Sequence, residues 1–207
     1  MKLRKIIAGL ALLLIAFSQL CLPALAATGV AGRVQITNST KAAYRTCSAF
    51  TAPAASTTDF AEIYGSSSKT VFVKRITVIM AANVNGSTIN PVFVVRRSTA
   101  NSGGTATTET AVKNDTNSGS ATATVKTYTA NPTTGTLVGR IASNALGLGI
   151  SPTMNSNAQA IVLYEARPDT QAETLRGTGE GLCVNFNGTK PDVGTPTLSV
   201  CFEWEEE

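Results

Sequence analysis

From residue 32 to residue 205 the chain repeats one pattern. Short runs rich in Val, Ile, Thr, Tyr and Phe alternate apolar with polar residues, and clusters of Gly, Asn, Ser and Pro interrupt them. Successive side chains of an extended strand point to opposite faces, so each run reads as a half-buried strand. The runs fall at residues 32–37, 44–50, 59–64, 70–81, 89–98, 121–129, 136–142, 158–166, 181–186 and 197–205. No segment carries an apolar stripe at helical spacing over the roughly 11 residues that a globular helix needs. Without helices to cover a parallel sheet, the strands have to pair antiparallel, as a sandwich or barrel.

The turns agree with this. Asn85-Gly86 separates the runs 70–81 and 89–98. Both residues tolerate positive φ, which predicts a hairpin joining those strands. Asn187-Gly188 plays a similar part before the last strand. Pro91 donates no ladder hydrogen bond, so the start of its strand belongs at an edge or bulge. Residues 101–120, NSGGTATTETAVKNDTNSGS, hold few large apolar side chains and read as an exposed excursion.

The N-terminus reads as an export signal. A basic start, Met1-Lys2-Leu3-Arg4-Lys5, leads into an apolar run over 6–22, then Pro23-Ala24-Leu25-Ala26-Ala27. Small residues after the apolar run predict cleavage between Ala26 and Ala27. An uncleaved anchor is the other reading that the apolar length allows. Ser18-Gln19-Leu20 fits lipid attachment at Cys21 poorly. The expected organisation is a signal peptide over 1–26, an N-terminal arm with short strands over 27–56, and one β domain over 57–207. The expected location is the periplasm, cell surface or medium. The leader holds three of the 17 basic residues and none of the 13 acidic ones, so the formal +4 falls close to neutrality without it. Nothing in that balance points to nucleic acid, or to a membrane once the leader is gone.

Three cysteines follow the leader: Cys47, Cys183 and Cys201. If runs 181–186 and 197–205 form a hairpin with Val184 facing Val200, then Leu182 faces Phe202 and Phe186 faces Leu198. That register sets Cys183 opposite Cys201 on the other face, within disulfide reach at a non-hydrogen-bonded pair. An oxidising compartment permits the bond, so a Cys183–Cys201 disulfide is expected, with Cys47 as the odd thiol. A slip of one residue would instead leave two free thiols.

The chain has no histidine, which removes Ser-His-Asp and Cys-His catalysis and the common zinc sites. A carboxylate pair, as glycosidases use, could still be drawn from Asp59, Glu62, Glu165 and Glu203. Each is read more simply as a solvent-facing strand position. Asn114-Asp115-Thr116-Asn117 lacks the rest of a calcium loop and is read as a polar loop. Residues 176–181, RGTGEG, lack the lysine of a phosphate loop and are read as a turn. Lys74-Arg75 and Arg96-Arg97 put charge on two strands expected to pair, read as a solvated face or else a subunit or ligand contact. Trp204 continues an apolar face and is read as core. No catalytic residue, metal or cofactor is assigned.

Several phrases carry a resemblance: TDFAEIYGSSSKTVFVKRITV, the run from VVRRSTANSGG to KTYTANPTTGTLVG, QAIVLYEA, LRGTGEGLCVNFNG and LSVCFEWEEE. Over residues 57–206 the chain resembles a family of small proteins encoded in structural-gene clusters of tailed bacteriophages and prophages. Its most telling segments are Arg97–Thr105 and Tyr128–Pro132. The resemblance implies a virion-associated antiparallel β-sandwich of jelly-roll type, with about eight to ten strands, that decorates a capsid or tail. It brings no catalytic motif. Its expected partners are copies of itself or other structural proteins. The export signal departs from this, because virion proteins assemble inside the cell. The alternative is an exported surface or matrix module that binds carbohydrate or protein.

Overall fold

The computed structural model describes residues 41–82, 88–148, 157–167, 171–189 and 196–207. The expected cleavage site at Ala26–Ala27, the strand at 32–37 and the Asn85-Gly86 turn lie outside them. All the regular elements described are strands: β1 (Ala42–Cys47), β2 (Asp59–Tyr64), β3 (Val71–Ala82), β4 (Thr88–Arg97), β5 (Thr105–Glu109), β6 (Val112–Lys113), β7 (Thr124–Ala130), β8 (Leu137–Leu148), β9 (Asn157–Glu165), β10 (Glu173–Leu175), β11 (Gly181–Asn185) and β12 (Thr197–Glu206).

They form two antiparallel sheets. Sheet A runs β10-β3-β12-β1-β6, with β9 also on β3; sheet B runs β5-β7-β2-β11-β4-β8. The core lies between them. Sheet A contributes Tyr44, Ile76, Val78, Met80, Leu198, Val200, Phe202 and Trp204, and sheet B contributes Phe60, Ile63, Val92, Val94, Leu182 and Val184. Tyr44 and Trp204 stack with ring centres 5.7 Å apart. The expected antiparallel sandwich is what forms, and Trp204 is core.

The neighbours of several strands differ from expectation. Runs 70–81 and 89–98 do not make a hairpin: β3 pairs with β12, β9 and β10, whereas β4 pairs with β11 and β8. Lys74-Arg75 and Arg96-Arg97 therefore belong to different sheets. The last two strands also separate, β11 into sheet B and β12 into sheet A. Their apolar sets meet as expected, but across the core rather than along one sheet. Pro91 sits where β4 runs past the end of β11, whose pairing starts at Phe93, so its missing N–H costs no bond to β11.

That separation corrects the disulfide. Cys183 and Cys201 each point away from the core, as the alternation requires, but they lie on opposite outer faces of the sandwich. The bond joins Cys47 to Cys201, which are direct cross-strand partners on β1 and β12 with Cα atoms 4.0 Å apart. Cys183 is the free thiol, and it is buried. β1 lies between β12 and β6 inside sheet A, so the sandwich includes residues from 42 onward rather than beginning at 57.

The disulfide closes a loop with a sequence separation of 154 residues. Constraining so long a loop in the unfolded chain is worth on the order of 3–5 kcal/mol. Peptide mapping without reductant is expected to recover a Cys47–Cys201 linked pair, with Cys183 alkylated only after unfolding. Reduction is expected to lower the denaturation midpoint with the fold retained.

Candidate buried polar site

The densest polar cluster lies on the outer face of sheet B. In β2, Val184 pairs with Ala61 but Asn185 with Asp59, so Phe60 is the extra residue of a bulge. The bulge sends Phe60 into the core, edge-on to Phe186, and turns Asp59 onto the same face as Glu62 and Tyr64. Cys183 and Asn185 of β11, Arg97 of β4 and Tyr128 of β7 share that face.

Asp59 and Arg97 are the charged centre. Arg97 Nε donates to Asp59 Oδ2 at 2.5 Å and Nη2 to Oδ1 at 2.9 Å, while Nη1 reaches the Gly135 carbonyl at 2.7 Å. Asn185 Nδ2 adds a bond to Asp59 Oδ1 at 2.6 Å. Asp59 is completely buried and Arg97 nearly so. Such a pair persists in a dry interior because the geometry is two-pronged and the remaining lone pairs are filled.

Asn101 ties this centre to Glu62. Its Nδ2 donates to Asp59 Oδ2 at 2.8 Å and to Glu62 Oε2 at 2.6 Å. Its Oδ1 accepts the Gly135 N–H at 2.7 Å, and its own N–H donates to the Tyr64 hydroxyl at 2.7 Å. Tyr128 donates its hydroxyl to Glu62 Oε1. The Cys183 sulfur lies 3.9 Å from Glu62 Oε2 and 3.8 Å from Asn101 Nδ2. Asn101 and Gly135 belong to the two chain segments that flank β5 to β7. Those segments bridge at Ser102 and Thr133 and close over the face. A Cβ at position 135 would fall 1.8 Å from the Thr99 carbonyl oxygen, so only glycine fits there.

Two further fasteners hold the same 98–136 segment. Buried Glu206 accepts from the N–H groups of Thr122 and Ala123, the Thr122 hydroxyl and the Trp204 indole, all at 2.9–3.0 Å. Asn131 accepts the Thr58 N–H and donates to the carbonyls of Ala55 and Ser56.

The electrostatics follow from burial. Burial pushes the Glu62 carboxyl above its usual range, and Asp59 adds to this, against hydrogen bonds from Tyr128 and Tyr64 and the charge of Lys126. Burial, then Glu62, raises Tyr64 and Tyr128. Burial, then Asp59 and Glu62, pushes the Cys183 thiol well up, which disfavours the nucleophilic thiolate. Glu206 goes the other way. Burial alone would raise it, but the Ala123 N–H, the Trp204 indole and Thr122 outweigh that and hold it low.

The carboxylates considered for catalysis therefore part company. Asp59 and Glu62 come together, but buried rather than solvent-facing, and protein donors occupy their oxygens. Glu165 and Glu203 sit on the opposite outer face, each paired with Arg75. The segment expected to be an exposed excursion supplies Asn101, a bridge of the buried cluster. Residues 176–181 form a turn, with Glu180 Oε2 accepting the Arg176 N–H and an Arg96 N–H. Asp115 closes a polar turn with the Asn117 N–H at 2.9 Å. Beside the cluster is a shallow open depression lined in part by Arg97, Asn185, Asn187 and Arg140. Arg140 stacks on Phe93 there, 4.1 Å from the ring centre. Among the described residues no group of Cys, Asp and Glu is placed to hold a metal. No known family model matches the chain, and no curated protein matches it.

Two outcomes follow. Arg97→Ala leaves the Asp59 charge buried and unpaired, and is expected to cost about 3–5 kcal/mol of unfolding free energy in denaturant titrations. Glu62, raised in the folded state, binds its proton more tightly folded than unfolded. Its contribution is thus present at acid pH and falls as pH rises from the ordinary glutamate range through its folded pKa. Stability measured against pH should show that fall, and Glu62→Gln should flatten it.

Proposed function

We propose that this chain is a non-enzymatic structural or decoration protein of a phage-like particle, acting through protein–protein contacts made by its loops and sheet surfaces. The observation that carries this reading is where the family-like phrases fall. Arg97, Asn101 and Gly104 of one phrase and Tyr128, Asn131 and Pro132 of the other meet in space. They fasten segment 98–136 over sheet B, and of the six only Arg97 also borders the shallow depression beside the cluster. A signature made of fasteners suits a rigid module that presents a surface.

We read the sandwich as a jelly-roll, and the strand order supports that reading. Setting aside the 98–136 insertion and β10, the order is β9-β3-β12-β1 against β2-β11-β4-β8. Following the chain, successive strands alternate between the sheets except for β4 and β8, which pair within sheet B, as in two interleaved Greek keys.

The second reading, an exported surface or matrix module, is favoured by the Cys47–Cys201 bond, since disulfides persist in oxidising compartments. Intact-mass and N-terminal analysis of the protein from separated native fractions decides between them. The particle reading expects the chain in purified particles at a fixed ratio to the major shell protein. A chain starting at Ala27 in periplasm or medium and absent from particles would overturn that reading and leave the exported one.

A further inference from the structure

The outer face of sheet A is divided sharply by charge. One cross-strand row reads Glu165, Arg75, Glu203, Arg45 across β9, β3, β12 and β1. Charge alternates along it. Arg75 contacts Glu165 at 2.7 Å and Glu203 at 3.9 Å. Bulges at Lys74 and Leu163 bring Arg75 and Glu165 into line on this face. On one side of it lies a second charged row, Phe72, Glu205 and Ala43, where Lys74 reaches Glu205 at 3.5 Å. The rows on the other side hold no charge. They read Val162, Thr77, Cys201, Cys47, then Ala160, Ile79, Ser199, then Ala158, Ala81, Thr197. The side chains are small or β-branched, with the disulfide among them; Ser199 is buried, its hydroxyl donating to the Ser48 carbonyl at 2.7 Å. Val162 is 43% exposed, and Ala158 and Ala160 are exposed as well.

We propose that this face is the contact of a two-fold dimer of this chain. The occupant follows from the ladder's symmetry. A two-fold axis in the plane of the contact, parallel to the strands and passing between β3 and β12, reverses strand order but keeps each row at its height. The row Glu165–Arg75–Glu203–Arg45 then meets its own reverse. Each Glu165 faces a partner's Arg45, each Arg75 faces a partner's Glu203, and uncharged rows face uncharged rows. An in-plane axis perpendicular to the strands would set each charge against its own copy if it ran along the charged row, and would bring the charged row onto other rows if it ran elsewhere. A pattern that is its own complement under one rotation is what an isologous contact requires, and two sheet faces with small side chains stack closely.

Size sets the expected strength. Four strands at sheet spacing and four rows deep cover on the order of 500 Å² per partner. That is below the roughly 800 Å² of a stable complex, so the dimer is expected to be weak and reversible, and strengthened where copies are tethered to a surface. The proposal rests on the reading that the chain acts through protein contacts. It does not need the particle, so its failure and that of the particle reading are separable.

Sedimentation velocity of the oxidised protein, from about 10 µM to 1 mM, tests it. The expected result is a reversible monomer–dimer equilibrium. Ala160→Arg, a wedge at an exposed position, should hold the protein monomeric throughout. Arg75→Glu sets like charges face to face and should weaken association at least tenfold. Arg75→Glu with Glu203→Arg keeps the row self-complementary and should recover most of it. A wild-type protein that stays monomeric to 1 mM, or an Ala160→Arg variant that associates like wild type, overturns the proposal. So does a double variant, folded by circular dichroism, that remains as weak as Arg75→Glu.

Discussion

The buried ion pair between Asp59 and Arg97 is the constraint from which much of sheet B follows. Burying either charge alone costs several kcal/mol, and a buried pair persists only when its geometry is good and its remaining lone pairs are filled. Here the guanidinium grips the carboxylate with two N–H groups, and Asn185 and Asn101 supply the rest. The bulge at Phe60 exists in the same context. It lets Phe60 reach the core while Asp59 faces outward to the arginine. A sheet face so polar has to be either wet or roofed, and residues 98–136 roof it, with Asn101 and Gly135 as the joint.

The two outer faces of the sandwich are therefore unlike. Sheet B turns its polar groups inward on themselves beneath the insertion. Among the described residues, sheet A leaves most of its face uncovered, crossed by a ladder of charge beside an uncharged area braced by the Cys47–Cys201 bond. Glu206 links the two halves of this arrangement. It sits at the end of β12 yet holds Thr122 and Ala123 of the insertion. Among the described residues, one sandwich thus carries a face closed by the insertion and a face left largely uncovered.

In the last two strands, alternation told correctly which residues face the core and which face away. Leu182, Val184, Leu198, Val200, Phe202 and Trp204 are all buried between the sheets. It could not tell which strand lies beside which, because a hairpin and a sandwich bury the same apolar sets. The misassigned disulfide is the direct result: Cys183 and Cys201 are both outward, but outward from different sheets. The excursion at 101–120 is exposed or half-buried from residue 102 onward, but its first residue departs from the expectation. Scarcity of apolar side chains argues against hydrophobic burial, yet Asn101 is buried by hydrogen bonds. One signal for the cluster was available. Strict alternation in Asp59-Phe60-Ala61-Glu62-Ile63-Tyr64 sets Asp59 on the face of Ala61 and Ile63, so either a bulge or a buried, paired acid had to follow.

Hydrogen exchange at the Gly135 N–H tests the central claim most directly. That amide donates to Asn101 Oδ1 and opens only if the insertion lifts from the ion pair. If the cluster fastens the insertion to sheet B, Gly135 exchanges as slowly as the amides of β11 and with the same dependence on denaturant. Exchange at Gly135 as fast as in the exposed turn at 115–118, with β11 still protected, would show that the roof moves independently of the sheet. The buried ion pair would then not be what holds it.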